Sequence, residues 1–232
     1  VYAFDPTPSV ALGMMLVAAV PGGNLSNYFT HLARGETSVS VSMTAVTTAG
    51  AVITTPFNLA FWASMHPGTN ALFQTVDVDP IAMLVIIGTL LVVPITVGMT
   101  VAAKLPAVAD RLRPIFKVGS LLFFGVFVAA AFHANFDHFL NHVATVFWPV
   151  FALNTLAYML GYGVATAGRL KEAERRALSI EVGIQNTGLG LILVFNFFEG
   201  LGGMAVICAW WGIWHMVSGL TLAGFWRRRP PA

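Results

Sequence analysis

The chain has 232 residues, 57% of them hydrophobic and only 9% charged, where an ordinary soluble domain carries about 25% charged residues. A mean hydropathy of +0.78 excludes such a domain; the net charge of +2 is small, and no basic patch interleaved with aromatics points to nucleic acid. The single cysteine, Cys208, excludes an internal disulfide and a cysteine metal cluster, and its apolar surroundings make it a packing residue.

The chain begins at Val1 and enters an apolar run almost at once, without the basic start and cleavage site of a signal peptide. We expect a fragment that lacks an N-terminal part. A membrane span needs ~20 apolar residues. The apolar run 10–20 is half that length, meets Pro21-Gly22-Gly23-Asn24, and resumes over 25–33. This reads as one span, 10–33, broken in the middle, with Asn24 or Ser26 as cap of its second half. The second span, 37–65, opens with Ser38, Ser40, Ser42 and Thr44, and Pro56 is expected to kink it. Five more follow at 80–103, 115–134, 144–166, 176–198 and 203–226, giving seven spans in one all-α transmembrane domain.

The connections test this count. All twelve Lys and Arg residues fall in alternate connections. Arg34 follows span one, and Lys104, Arg111, Arg113 and Lys117 follow span three. Arg169, Lys171, Arg175 and Arg176 follow span five, and Arg227, Arg228 and Arg229 follow span seven. The remaining connections carry Asp77, Asp79, Asp137 and Glu199 instead. The positive-inside rule then puts the C-terminus in the cytoplasm, and the short loops point to a bacterial cytoplasmic membrane.

The sixth span carries the most informative stretch, 180–190, reading Ile-Glu-Val-Gly-Ile-Gln-Asn-Thr-Gly-Leu-Gly. A carboxylate deep in a span is costly and by default marks an ion or substrate site. Gly183, Gly188 and Gly190 are expected to loosen the helix, so that backbone carbonyls are freed as ligands. The two broken spans run in opposite directions, as an inverted repeat requires. Oxygen ligands on offer for a hard monovalent cation are Ser26, Asn27, Glu181, Gln185 and the hydroxyls of span two. Ser40 and Thr44 stand four residues apart on one helix face. Taken alone, those hydroxyls read as bonding within their own helix, and His215 and Asn154 read as helix-to-helix hydrogen bonds. No zinc-binding His-Glu-x-x-His pair, serine elbow or phosphate loop is present, which argues against an enzyme.

Pro21-Gly22-Gly23-Asn24-Leu25-Ser26-Asn27, Leu32-Ala33-Arg34-Gly35 with Ser40 and Thr44, and Glu181-Val182-Gly183-Ile184-Gln185-Asn186-Thr187-Gly188-Leu189 resemble the bile acid:sodium symporter family. Trp214-His215 and Ser218-Gly219 resemble it too. The resemblance implies a ten-helix inverted-repeat fold with two discontinuous crossing helices, of which this chain holds helices four to ten. It implies one sodium site at Ser26, Asn27, Ser40, Thr44 and Glu181. A second would use Glu181, the carbonyls of Val182 and Ile184, and Gln185, and would lack a ligand from an absent helix. Asn24, Asn186 and His215 would face the substrate. Met216 departs from the polar residue that some relatives carry there. The expected function is sodium-coupled symport of an organic anion, such as a bile-acid-like or small carboxylate solute, by alternating access. No protein partner is inferred. The alternatives are a proton-coupled or uncoupled anion carrier, and a non-transporting membrane sensor on the same fold.

Overall fold

The computed structural model describes the backbone of residues 1–76, 79–134 and 136–231, with side chains throughout except at Pro80 and at most positions from 117 to 145. Among the described residues the regular elements are ten helices: α1 (Pro8–Ala19), α2 (Leu25–Leu32), α3 (Thr37–Ser64), α4 (Pro67–Thr75), α5 (Pro80–Lys104), α6 (Pro106–Ala134), α7 (Phe136–Ala167), α8 (Glu172–Gly183), α9 (Thr187–Phe197) and α10 (Gly202–Arg227). Among these residues, four segments are long and apolar enough to cross a membrane: Thr37–Ser64, Ile81–Lys104, Val146–Ala167 and Gly202–Arg227.

The helix pattern refines the sequence reading in several places. The stretch 10–33 forms two helices, and 176–198 falls within α8 and α9, which are separated at Ile184–Gln185–Asn186. The connection after α3 contains a further helix, α4, started by Pro67 at its first turn. Thr69 Oγ1 donates to the carbonyls of Ala63 and His66 and so ties α4 to the end of α3. Proline fits a first turn because the N–H it lacks has no partner there anyway. Helix α3 continues through Pro56. The basic residues Arg111 and Arg113 lie on α6, not in a loop, because only Leu105 separates α5 from α6. Backbone 136–142 belongs to α7; Asp77 and Asn135 lie outside the described residues.

Helix α10 is the axis of packing and touches α1, α2, α6, α7 and α9. Its core joins Leu12, Leu16 and Val17 of α1, Leu191, Leu193 and Val194 of α9, and Met204, Ile207 and Trp211 of α10. A second, smaller core lies at the other end of the half-helices, with Phe29 and Ala33 of α2, Tyr158 of α7, Ile180 and Ile184, and Ala223 of α10. Helix α1 buries apolar residues all round, as a helix does when partners surround it. The opposite holds on α5 and α6, where Ile81, Met99 and Phe116 are each about two-thirds or more exposed. Apolar surface on that scale is incompatible with water and suits lipid.

Glycine acts here through close approach. Ile184, at the end of α8, has φ −106° and ψ 103°, and Asn186 has φ −78° and ψ 75°. Both are open to ordinary residues, so the break needs no glycine dihedral. Gly183 is the last residue of α8, and a Cβ there would collide with the Tyr158 ring. Gly188 and Gly190 lie inside α9. Gly183 has a second role that its sequence position did not show: its missing side chain admits Tyr158.

Gly183→Ala is expected to destabilise the fold by about 1–3 kcal/mol, the usual cost of overpacking a tight contact. Gly50→Ala, where a Cβ meets nothing within 4 Å, should be neutral or stabilising by up to about 1 kcal/mol. Thermal denaturation of the two purified variants checks the contrast; equal stabilities would refute it.

Candidate ion site at the helix crossing

Helices α2 and α8 lie side by side and antiparallel, and their broken ends cross. Pro21 cannot continue α1, which ends at Ala19. The extended backbone beyond it pairs with the break after α8 in an isolated antiparallel bridge, Gly22 to Gln185. Gly23 N–H donates to Ile184 O at 2.7 Å, and Asn186 N–H donates to Pro21 O at 2.8 Å. Thr55 Oγ1 adds a bond to Ala19 O at 2.9 Å. These bonds satisfy backbone groups that no water reaches in a bilayer core. The Asn186 side chain caps α9 by accepting from Leu189 N–H at 3.1 Å. Asn24 occupies the corresponding position before α2 but makes no capping bond, and its side chain is exposed. Ser26 does not cap either: its hydroxyl turns to Glu181.

Glu181 is 2% exposed. Its Oε2 accepts from Ser26 at 2.5 Å and Ser40 at 3.2 Å, and its Oε1 accepts from Thr44 at 2.7 Å. Asn27 Oδ1 lies 2.8 Å from the Ser40 hydroxyl and 3.3 Å from the Thr44 hydroxyl. Thus Ser26, Asn27, Ser40, Thr44 and Glu181, drawn from α2, α3 and α8, form one cluster. A Cβ on Gly22 would collide with the carboxylate, so only glycine lets the first break approach it. Thr30, which the sequence reading did not select, joins through its bond to Ser40 at 3.4 Å. Its place four residues beyond Ser26, on the same face of α2, is the signal that would have found it.

The cluster is rich in oxygen and poor in hydrogen. Eight oxygen–oxygen approaches of up to 3.5 Å link these groups. Only the four hydroxyl hydrogens of Ser26, Thr30, Ser40 and Thr44 are available to fill them, because each hydroxyl donates once. Neither ion pair among the described residues involves Glu181, and no group of His, Cys, Asp and Glu among them is arranged for a metal ion. One negative charge surrounded by neutral hard oxygens matches a monovalent hard cation in charge and ligand type.

The second proposed set is dispersed differently. Val182 O accepts from Gln185 Nε2 at 2.8 Å, and Ile184 O is the acceptor in the helix crossing. Gln185 Oε1 is buried without a hydrogen-bond partner among the described residues, as are Thr187 Oγ1 and both ring nitrogens of His215. His215 itself is 2% exposed.

A support network lies behind the break. Asn154 Nδ2 donates to Gly183 O at 2.8 Å and its Oδ1 accepts from Ser218 at 2.7 Å. Tyr158 OH lies 3.1 Å from the same Ser218 hydroxyl, and Ser179 donates to Tyr158 O at 2.8 Å. Asn154 is therefore a helix-joining residue that secures the last carbonyl of α8.

Among the described residues the chain is all-helical, with lipid-suited apolar faces and an oxygen cluster where two pairs of half-helices cross. The Sodium Bile acid symporter family matches residues 1–142, and the chain belongs to that family. It is 30% identical over 223 residues to the uncharacterized sodium-dependent transporter YocS of Bacillus subtilis, covering 95% of this chain and 65% of that protein. It is 31% identical over 221 residues to the probable chloroplastic sodium/metabolite cotransporter BASS1 of rice, covering 95% and 52%. The Arabidopsis thaliana protein of the same name is 32% identical over 227 residues, covering 97% and 53%. The chain thus spans between half and two-thirds of the length of these relatives. The family and these relatives are transporters, in line with the sequence argument against an enzyme.

Asn154→Ala removes the side-chain donor to Gly183 O and one of the partners of Ser218 in a buried site. The expected cost is about 1–3 kcal/mol, read as a lowered midpoint in thermal denaturation; an unchanged midpoint would mean that the network does not support the break.

Proposed function

We propose that this chain forms the ion-coupling part of a sodium-driven secondary transporter for an organic anion. The observation that carries the reading is the buried Glu181 carboxylate, enclosed by oxygens that outnumber the available hydrogens. Sodium at Ser26, Asn27, Ser40, Thr44 and Glu181 would supply the missing positive charge. A second sodium would use Glu181, the free lone pairs of the Val182 and Ile184 carbonyls, and Gln185, whose Oε1 lacks a partner. Asn24, Asn186 and His215 would meet the anion. The names of the relatives, sodium-dependent transporter and sodium/metabolite cotransporter, favour sodium as the coupling ion.

In this reading α1–α2–α3 and α8–α9–α10 are the two arms of an inverted repeat. Seven spans cross a bacterial cytoplasmic membrane, with the C-terminus inside. Sodium enters from outside, neutralises Glu181 and draws α2, α3 and α8 together. The organic anion, a bile-acid-like or small carboxylate solute, binds beside the crossing, and a rigid-body movement opens the site inward. Each inward sodium contributes ~2.3 kcal/mol per 100 mV of membrane potential. With a monoanion, two sodium ions make transport electrogenic.

A proton-coupled carrier is the second reading. The same unpaired carboxylate favours it, because a proton would compensate its charge as sodium does. The two are separated by thermal stability of the purified protein against sodium at constant pH and ionic strength, with potassium as control. A ligand that binds only the folded state at 100 times its Kd stabilises by about 2.7 kcal/mol. The expected outcome is a rise specific to sodium that Glu181→Gln abolishes. A folded protein indifferent to sodium would refute the sodium reading, and a rise retained in Glu181→Gln would refute the site.

A further inference from the structure

At the end of α8 away from the ion cluster, the side chain of Arg176 is 4% exposed and makes three bonds. Its Nε donates to Glu172 Oε1 at 2.9 Å, one turn earlier on α8. Its Nη1 donates to Ala33 O at 3.0 Å and Trp226 O at 3.2 Å. Ala33 caps the C-terminus of α2, and Trp226 lies in the last turn of α10. One guanidinium therefore meets the negative ends of two helix dipoles and a carboxylate. Its carbon also lies 5.6 Å from the Trp226 ring centroid, and that ring stacks on Tyr162 at 6.0 Å. Tyr162 OH in turn donates to Glu172 Oε2 at 2.7 Å. Beside this cluster, Glu36 N–H donates to Ala173 O at 2.9 Å and adds the start of α3 to it.

This cluster lies outside the ion site, yet it shares two helices with it. Along α8, Glu181 stands five residues beyond Arg176, a rise of ~7.5 Å. Along α2, Ser26 and Asn27 stand six or seven residues before Ala33. The antiparallel pair is thus pinned twice: by carboxylate and hydroxyls at one end, by Arg176 at the other. Without an ion the first pin holds an uncompensated carboxylate, whereas the second carries its own cation and keeps α8 in register with α2 and α10 whether or not an ion is bound. A binding constellation has to be held to within about 0.5 Å, whereas a slip of one helical residue is ~1.5 Å.

We propose that Arg176 is a positioning residue for sodium: it sets the register of α2, α8 and α10 and thereby preorganises the oxygens around Glu181. The inference rests on the sodium reading above. A buried ion pair is a weak source of net stability, since well-packed apolar residues commonly replace one without loss; a directional network specifies one arrangement. The guanidinium fork is essential, because an ammonium carries the charge but not the fixed arrangement of donors.

The test is equilibrium binding of radiolabelled sodium to the purified full chain in lipid nanodiscs, comparing the unaltered protein with Arg176→Lys and Arg176→Met. Both variants are expected to need about 10-fold more sodium for half-saturation, as when a partner that orients metal ligands is lost. Met204→Ala, in the apolar core away from this cluster, is expected to lower the melting temperature but leave half-saturation unchanged. That control separates register from general stability. A folded Arg176→Lys or Arg176→Met with wild-type half-saturation overturns the inference. Should neither fold, Glu172→Gln, which weakens the hold on Nε, is expected to raise half-saturation too, and an unchanged value there overturns it equally. Absence of sodium binding by the unaltered protein would instead overturn the sodium reading, and this inference with it.

Discussion

A carboxylate enclosed by hydroxyls, with no ion pair to a protein cation among the described residues, is the constraint on which the rest of this fold depends. Burying a charge is tolerable only when something compensates it. Here the Ser26, Ser40 and Thr44 hydroxyls face Glu181, and Asn27 turns its oxygen inward to those of Ser40 and Thr44. That places three elements, α2, α3 and α8, within hydrogen-bond reach of one carboxylate. It also requires a backbone without side chains at Gly22, which lies against the carboxylate.

The crossing of the two broken helices solves the companion problem of exposed helix ends. Four half-helices present free N–H groups and free carbonyls in a region meant for lipid. Two backbone bonds between the breaks, the Asn186 cap, and the Asn154 and Thr55 side chains satisfy several of them. Gln185 Oε1, Thr187 Oγ1 and the His215 ring are buried and unpartnered among the described residues, and they belong to the break and to α10.

Much of the helical layout was legible in the sequence. The hydrophobic runs carry the long apolar helices, and Pro21 with two glycines announces the first break. The second break was legible as polar residues and glycines in an apolar run. Helix α4 was not legible, because nine residues such as Pro67–Thr75 carry no span-length signal and owe their shape to packing on α1 and α3. Arg176 was misleading in a different way. Charge pattern alone groups it with solvated loop residues, yet it is buried among helix ends. Nothing in its neighbours reveals that, since Ala33 and Trp226 are 143 and 50 residues away along the chain.

The sequence by itself determined the solvent and the chemistry: apolar runs that need lipid, interruptions in two of them, and a lone carboxylate that demands a partner. These follow from composition and local spacing, which are properties of the chain before it folds. Only the tertiary structure decided which oxygens meet. Ser26 and Glu181 lie 155 residues apart, and Thr44 and Glu181 lie 137 apart. It also decided that Gly183 serves contact with Tyr158 and that Asn154 secures the break. Such pairings depend on helix register and close approach, which are set by packing between segments and leave no trace in either segment alone.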